Sequence, residues 1–236
     1  MNNDYSNFRE ELEKKLLECT EEVNFLYNNM ITEKQNKTYI FSKSLFLLLY
    51  AHYEGFCNML LKSYIQEINL QKLKRREVIE PLIVASMNRI FNNYENISRK
   101  NDLLKKNFLD DSNLHNYYRR IDFITQFDKF LEEIVKIEDK VINTESNLSV
   151  QVLEKNLYKL GLKLELTKDE KVHITKLLMI RNDIAHTGSN KILEKDFEER
   201  NKIIREIKED IFKLMENLIV LTYSFLNEKK YLKNEN

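Results

Sequence analysis

Residues that interrupt helices are scarce in this chain. Its 236 residues include only three glycines and one proline, the two residue types that most often break a helix or form a tight turn. Apolar residues recur instead at intervals of three and four over long stretches, a spacing that places them on one side of an α-helix. We therefore predict an all-α fold built from long helices.

The spacing of the apolar residues also predicts where the helices lie. We expect helices at about 5–31, 37–70, 77–93, 117–136, 149–160, from Thr167 to the segment 181–186, and at 194–230. The helix at 37–70 is apolar on several sides, which predicts a central position. Within it, Ala51 and Gly55 are small residues four apart and would let another helix approach closely.

The middle of the chain is less regular than its two ends. Residues 72–147 contain Asn-rich and charged stretches at 92–112 and 139–147, which we interpret as loops. The segment shows no internal repeat and no convincing linker. We therefore interpret residues 1–236 as a single domain with an insertion at about 72–147.

The balance of charges argues against one class of function. The chain has 38 basic and 38 acidic residues and a formal net charge of zero, which argues against a general nucleic-acid coat protein. A nuclease stays compatible with this balance because it needs only a local basic cleft. Cys19 and Cys57 lack metal-ligand spacing and cannot form a disulfide framework, so a reducing cytosol fits.

The sequence lacks the patterns that indicate a membrane span, a signal peptide, a phosphate-binding loop or a metal site. No apolar run approaches the about 20 residues of a membrane span, and the N-terminus is acidic and polar rather than a signal peptide. We therefore expect a cytoplasmic protein with no membrane partner. No Gly-rich phosphate loop, His-Glu-x-x-His zinc pattern or cluster of acidic metal ligands is visible. We expect neither a metal nor another cofactor.

The most specific group of polar residues lies near the end of the helix that begins at Thr167. Arg181 and Asn182 are followed by His186, with Gly188 two residues later. The unperturbed pKa of histidine lies nearest to physiological pH, so His186 can take or give a proton. Arginine offers a planar fork of donors that matches phosphate oxygens. Both groups at one phosphodiester could promote attack by the 2′-hydroxyl of RNA without a metal.

Helix geometry separates these residues. Asn182 and His186 share a face, whereas Arg181 and His186 lie about 140° apart. Arg181 can reach the histidine through its length or through fraying near Ala185, or a second copy of the segment can complete the site. Gly188 fits a left-handed helix end that leaves His186 in the last turn. The spacing alone is also typical of a solvated helix end with a histidine near the C-terminal dipole.

A second motif lies on the helix at 37–70. Residues 49–56 have the sequence Leu-Tyr-Ala-His-Tyr-Glu-Gly-Phe, and a Gly-containing turn at 159–162 precedes the capped helix that ends in the segment 181–186. In this order, the motifs resemble the HEPN superfamily, in particular the branch of RiboL-PSP and related toxin-like domains. The resemblance covers about residues 37–70 and 149–230, while the segment 72–147 matches nothing in it.

The resemblance implies an antiparallel helical bundle and a metal-independent endoribonuclease whose catalytic residues are Arg181, Asn182 and His186. It implies RNA as the substrate, a homodimer, and a toxin or antiphage effector restrained by an antitoxin or other regulatory protein. The alternative is a non-catalytic HEPN module that binds RNA, a nucleotide or a protein. One branch of the superfamily carries a tyrosine two residues after the histidine. Gly188 stands there in this chain, so regulation by modifying that tyrosine is not implied.

Three residues are candidates for supporting roles. Glu54 either faces the catalytic pair, where it would orient the imidazole or pair with the arginine, or forms an ion pair that specifies the fold. His52 lies among apolar residues, which favours a hydrogen-bonded core histidine over a catalytic one. Asp183 caps the helix or forms a local salt bridge, with a direct role as the alternative. His115 and His173 have no supporting pattern and are predicted to lie on the surface.

Basic residues cluster at 72–76, 105–106 and 119–120. Each cluster could contact phosphate groups, and solvated helix faces are the alternative in a chain with this many charges. Tyr117 and Tyr118 beside Arg119 could stack on bases. Aromatic residues at helical spacing more often belong to a core.

Overall fold

The computed structural model describes residues 5–32, 37–98, 100, 104, 111–145 and 147–233. Within these residues the fold is all-α, as predicted, and the only β interactions are two isolated bridges. Short 3-10 turns occur at Arg75–Glu77 and Asp139–Val141. The helices with described bounds are α1 (Ser6–Thr32), α2 (Thr38–Leu70), α3 (Glu80–Glu95), α4 (Ser112–Glu132), α5 (Val150–Lys159), α6 (Lys168–Thr187) and α7 (Phe197–Asn227).

The described residues group into two compact units. Unit 1 takes those within 1–64, 142–158 and 162–229, and unit 2 takes those within 65–141, 159–161 and 230–236. The boundary after residue 64 falls inside α2, so this helix contributes to both units. Unit 2 includes most of the predicted insertion at 72–147. The interpretation of the chain as a single domain stays a prediction.

In unit 1, α1 and α7 run in opposite directions. Near the end of α1, the Tyr27 hydroxyl donates a 2.8 Å hydrogen bond to Asn201, which lies near the start of α7. Near the start of α1, the Arg9 guanidinium lies 5.2 Å from the centroid of the Tyr223 ring, near the end of α7. Contacts pair in this order only when two helices are antiparallel.

The helices α2 and α6 are also antiparallel. At the start of α2, the Tyr39 hydroxyl donates a 3.1 Å hydrogen bond to Ser189, just beyond the end of α6. Farther along α2, Tyr50 contacts Arg181, which precedes Ser189 on α6. The short connection at 188–196 then returns the chain into α7, which packs on α6. Unit 1 therefore contains the antiparallel bundle that the resemblance implies.

The predicted central position of α2 is confirmed by burial. Most of the largest fully buried side chains of the described residues belong to it, among them Phe46, Tyr53, Phe56, Leu60 and Tyr64. One strip of α2 differs, because Ala51 and Gly55 are exposed. A Cβ atom built on Gly55 would meet no atom within 4 Å. The close helix approach predicted at these small residues is therefore not made by the described part of the same chain.

Both ends of α6 form as predicted. The Thr167 hydroxyl accepts a 3.2 Å hydrogen bond from the Glu170 backbone N–H, and the Glu170 carboxylate accepts a 2.8 Å bond from the Thr167 N–H. These reciprocal bonds are a capping box. Gly188 has a left-handed backbone with φ 76° and donates its N–H to the Ile184 carbonyl. The helix therefore ends directly before this glycine, with His186 in its last turn.

Three helix starts differ from the predicted positions. The start of α3 lies three residues later than predicted, at Glu80, because Pro81 fits only the first turn of a helix. The start of α7 also lies three residues later, because Asp196 caps it by accepting a 2.9 Å bond from the Glu199 N–H. The start of α4 lies five residues earlier than predicted, because Asp111 caps it.

Unit 2 has a core of its own. The Phe123 ring of α4 lies 5.4 Å from the Tyr94 ring of α3, measured between centroids. The buried Arg75 donates hydrogen bonds to the Ser86 hydroxyl on α3 at 3.0 Å and to the Phe130 carbonyl on α4 at 2.9 Å. The aromatic contact and this arginine hold α3, α4 and the turn Arg75–Glu77 together.

Gly161 and Gly188 provide a matched test of local backbone strain. Both have a left-handed φ, 74° and 76° respectively. A Cβ atom on Gly161 would lie 2.5 Å from Cδ1 of Ile79, whereas the nearest atom to one on Gly188 is Lys43 Nζ at 3.9 Å. We expect each Gly→Ala change to lower the free energy of unfolding by about 1–2 kcal/mol, and Gly161→Ala to lower it further because Ile79 must move. Denaturant unfolding measures both variants, and equal losses would contradict the clash.

Candidate active site

Arg181 is held in place by α2 and by its own neighbour. Its guanidinium lies 4.9 Å from the centroid of the Tyr50 ring, and Nη1 donates a 2.8 Å hydrogen bond to Asn182 Oδ1. A guanidinium carries five N–H donors, and within the described residues this is the one hydrogen bond that the group makes. Arg181 is therefore oriented on an aromatic face and keeps donors for an anionic ligand.

Tyr50 supplies that aromatic face. Its hydroxyl accepts a 2.9 Å hydrogen bond from the Leu148 N–H. Burial raises the pKa of the Tyr50 phenol and the nearby Glu54 carboxylate raises it further, while the Leu148 bond and the Arg181 charge lower it. The phenol is therefore neutral at physiological pH. Tyr50 lies within the motif at 49–56 and no role was predicted for it, although its position one helical turn before Glu54 is a signal of a role at the site.

Asn182 connects the end of α6 to the residues just before α5. Its side-chain oxygen accepts the bond from Arg181, and Nδ2 lies 3.4 Å from Oδ1 of Asn147, a long hydrogen bond. Asn147 lies just before α5 and belongs to no sequence motif. Asn182 is thus fixed from both sides, which in turn fixes the direction of the Arg181 fork.

His186 lies on the exposed side of α6. The helix continues through Thr187, so the fraying near Ala185 that would bring the two groups together does not occur. The ring is exposed, and no hydrogen bond or ion pair joins it to any described residue. The structure places Arg181 and His186 near one helix end, and within the described residues no hydrogen bond joins the two side chains.

The two acidic candidates make different contacts. Glu54 is half-buried beside Tyr50, and within the described residues it pairs with neither Arg181 nor His186. Asp183 accepts a 2.5 Å hydrogen bond from Asn190 Nδ2, and its carbonyl accepts a 2.8 Å bond from the hydroxyl of the residue four positions later. Within the described residues Asp183 forms neither the predicted cap nor the predicted salt bridge, and its hydrogen bonds hold the turn after α6. A direct role stays a prediction.

The other histidines lie in different environments. Nε2 of His52 lies 3.1 Å from a Glu22 carboxylate oxygen, yet the groups are not aligned for a hydrogen bond and Nε2 has none within the described residues. The preference for a core role of His52 over a catalytic one stays a prediction. The surface prediction is wrong for His115, which is buried. His173 is half-buried, and its Nδ1 lies 2.5 Å from Asp210. Asp210 lies on another helix, so no local pattern indicates this pair.

The basic cluster at 72–76 is engaged inside unit 2. Carboxylates of Glu132 and Glu133 form ion pairs with three of its members, Lys74, Arg75 and Arg76. Three members of the cluster therefore contact carboxylates in this structure, and of these only Arg75 is buried. The cluster at 105–106 lies outside the described residues.

Within the described residues, the cysteines and the possible metal ligands form no further site. Cys19 and Cys57 are buried free thiols, and burial raises the pKa of the Cys57 thiol, which keeps it protonated. Among the residues that the structure describes, no three His, Cys, Asp or Glu side chains are grouped so as to hold a metal ion. No helix in that same part of the chain is long and apolar enough to cross a membrane.

Comparison with known proteins confirms the superfamily that the motifs indicate. The sequence model of the RiboL-PSP-HEPN family matches residues 14–221. Neither a curated protein nor a solved structure gives a match. The matched span includes both motifs and most of the helices, and it runs through the segment 72–147, where the motifs gave no resemblance. The chain therefore belongs to the RiboL-PSP-HEPN family of the HEPN superfamily.

Proposed function

We propose that this protein is a metal-independent endoribonuclease of the HEPN type. HEPN domains are commonly ribonucleases, and membership of this family supports an RNA-related role. The observation that carries the proposal is at the end of α6, where Arg181 is oriented with donors available and His186 is exposed. A plain helical scaffold needs neither an oriented guanidinium nor an exposed imidazole at that position.

The proposed reaction uses the substrate's own nucleophile. The 2′-hydroxyl oxygen attacks the adjacent phosphorus, and the bond from phosphorus to the 5′-oxygen breaks. His186 takes the proton of the 2′-hydroxyl or gives a proton to the leaving 5′-oxygen. Arg181 stabilises the negative charge that develops on the phosphate, and Asn182 holds the guanidinium or the phosphate. The products are a 2′,3′-cyclic phosphate and a 5′-hydroxyl.

We propose a homodimer as the active form. Within the described residues of one protomer, no hydrogen bond joins the side chains of Arg181 and His186. On α2, the exposed residues Leu47, Ala51 and Gly55 follow one another at intervals of four, so they form one strip that neighbours Tyr50 on the helix surface. The open space at Gly55 would let a helix of a second copy approach closely. A second copy there would bring another Arg-Asn…His set to the same cleft and so concentrate positive charge.

We further propose a biological setting in which the activity is restrained. An RNase that acts on the RNA of its own cell harms that cell. A toxin or antiphage effector, held inactive in the cytoplasm by an antitoxin or another regulatory protein, is consistent with membership of this family.

A second candidate function is a non-catalytic HEPN module that binds RNA, a nucleotide or a protein. The separation of Arg181 from His186 within one protomer favours it, because a binding site needs no such pair in contact. The two functions differ in one direct observable, which is whether the purified protein cleaves RNA.

Cleavage is expected to proceed in EDTA. Purified protein incubated with total RNA and EDTA should produce fragments that end in a 2′,3′-cyclic phosphate, because Arg181 and His186 supply the charge stabilisation and proton transfer. Added Mg²⁺ should not increase the rate. RNA with 2′-O-methyl groups is the matched control and should stay intact because it lacks the nucleophile. Cleavage that requires Mg²⁺, or that cuts the methylated RNA, would contradict the proposed reaction.

A further inference from the structure

A cavity lies between α3 and α4, inside unit 2 and on residues that the proposed active site does not use. Its volume is about 440 Å³, within the roughly 300–1,000 Å³ of typical small-molecule sites. Both helices contribute to its wall. The cavity is therefore large enough for a planar ring with a polar substituent.

One wall of the cavity is aromatic. The Phe123 ring lies 5.6 Å from Phe91 and 5.4 Å from Tyr94, measured between centroids. The Tyr94 hydroxyl donates a 2.8 Å hydrogen bond to Asp122, which fixes this ring. Ile124 also lines the cavity, and 71% of its surface is exposed. A flat apolar ligand can therefore stack on the aromatic rings and contact Ile124 at its edge.

Polar groups lie at the same cavity. Arg119 is committed to the fold, since it is buried and its Nε donates a 2.9 Å bond to the Tyr94 carbonyl. Arg120, Glu95 and Asn116 also line the cavity, and none of these three forms a hydrogen bond or ion pair with any described residue. A guanidinium matches a phosphate, and a carboxylate and an amide match the polar edges of bases. A purely apolar ligand would leave all three groups unused.

We propose that this cavity binds one unpaired nucleotide of single-stranded RNA, with its base on the aromatic wall and a phosphate at Arg120. The inference rests on the proposed function, because it gives the cavity the task of holding the ribonuclease substrate. Stacking on aromatic rings combined with a cationic contact is how proteins bind single strands with little sequence preference. A base within a duplex is stacked on both faces and paired at its Watson–Crick edge, so it cannot enter the cavity.

Binding is measured with the full chain carrying His186→Ala, so that the RNA is not cut. The probe is a labelled single-stranded RNA of about 12 nucleotides, followed by fluorescence anisotropy. Ile124→Glu places a negative charge at the cavity and should weaken binding roughly fivefold or more. Ile121→Glu is the matched control, because Ile121 lies on the same helix, is 50% exposed and does not line the cavity. Its affinity should change little.

A second pair of variants tests the phosphate contact. Arg120→Ala should weaken binding and lower the salt dependence, since one phosphate contact is lost. Lys129→Ala removes one positive charge from an exposed position of the same helix, about 180° away around the helix, and should have little effect. Circular dichroism checks that all four variants stay folded. Duplex RNA of the same sequence should bind more weakly than the single strand.

Equal losses within both variant pairs would overturn the inference, as would duplex RNA that binds as well as the single strand. A free mononucleotide that binds while the single strand does not would overturn the assignment to RNA. The readout is independent of cleavage. If no RNA is cut but Ile124→Glu weakens binding more than Ile121→Glu does, the proposed ribonuclease activity is wrong and RNA binding at the cavity is supported. If RNA is cut but the two variants of each pair bind RNA equally, RNA binding at the cavity is wrong and the ribonuclease activity is supported.

Discussion

Replacing His186 with alanine is expected to lower the rate of RNA cleavage by about 10²–10⁴-fold, the usual contribution of a general acid or base. The ring is exposed and contacts no partner among the described residues, so its removal should leave the free energy of unfolding nearly unchanged. The loss would therefore report on proton transfer. Cleavage of labelled RNA in EDTA, followed on gels, measures the rate.

The matched control for this variant is His173→Gln. It changes another histidine of α6, one that is held by Asp210, and glutamine can still donate to that carboxylate. Cleavage by this variant should stay close to that of the wild type. If His186→Ala cuts RNA at the full rate while it remains folded, the role proposed for His186 is wrong.

Gly55→Arg is expected to separate the dimer and to abolish most of the cleavage. A Cβ atom at this position would meet no described atom of a neighbouring element within 4 Å, and arginine raises helix propensity over glycine by about 0.8–1 kcal/mol. The protomer should therefore fold at least as well as the wild type. In a dimer packed on the exposed strip of α2, the same side chain would collide with the second copy. Light scattering should report about twice 28.5 kDa for the wild type and 28.5 kDa for the variant.

The control for this variant is Glu11→Arg, which places the same side chain at an exposed position of α1. It should remain dimeric and active. The shared cleft is contradicted if Gly55→Arg is still a dimer with full activity. A wild-type monomer that retains its full activity per protomer on dilution would contradict it as well.

Local sequence patterns predicted both ends of α6, the helix that carries the site residues. The capping box at Thr167 and the left-handed Gly188 fix the two ends of α6, and each depends on residues only a few positions apart. Hydrophobic spacing placed the other helices to within a few residues. The errors at their starts came from single residues that the apolar pattern does not register, namely Pro81 in the first turn of α3 and the capping residues Asp111 and Asp196.

Contacts between distant residues could not be predicted in the same way. The Tyr50 ring beneath Arg181 and the pairing of His173 with Asp210 join different helices, and such pairs depend on how the helices pack. The basic cluster at 72–76 shows the same limit, since its ion pairs with Glu132 and Glu133 arise only after unit 2 has folded. Counting lysines and arginines along the sequence cannot separate such pairs from an open phosphate site.

We propose that two copies of the chain build one ribonuclease site. The shared site is tested most directly by mixing two inactive variants, His186→Ala and Arg181→Ala, after brief unfolding so that subunits exchange. A mixed dimer would hold one intact pair, with Arg181 from one protomer and His186 from its partner. Random exchange makes about half of the dimers mixed, with one of two pairs intact. We predict that the mixture recovers about one quarter of the wild-type cleavage rate in EDTA. A mixture that is as inactive as each variant alone would contradict the shared site.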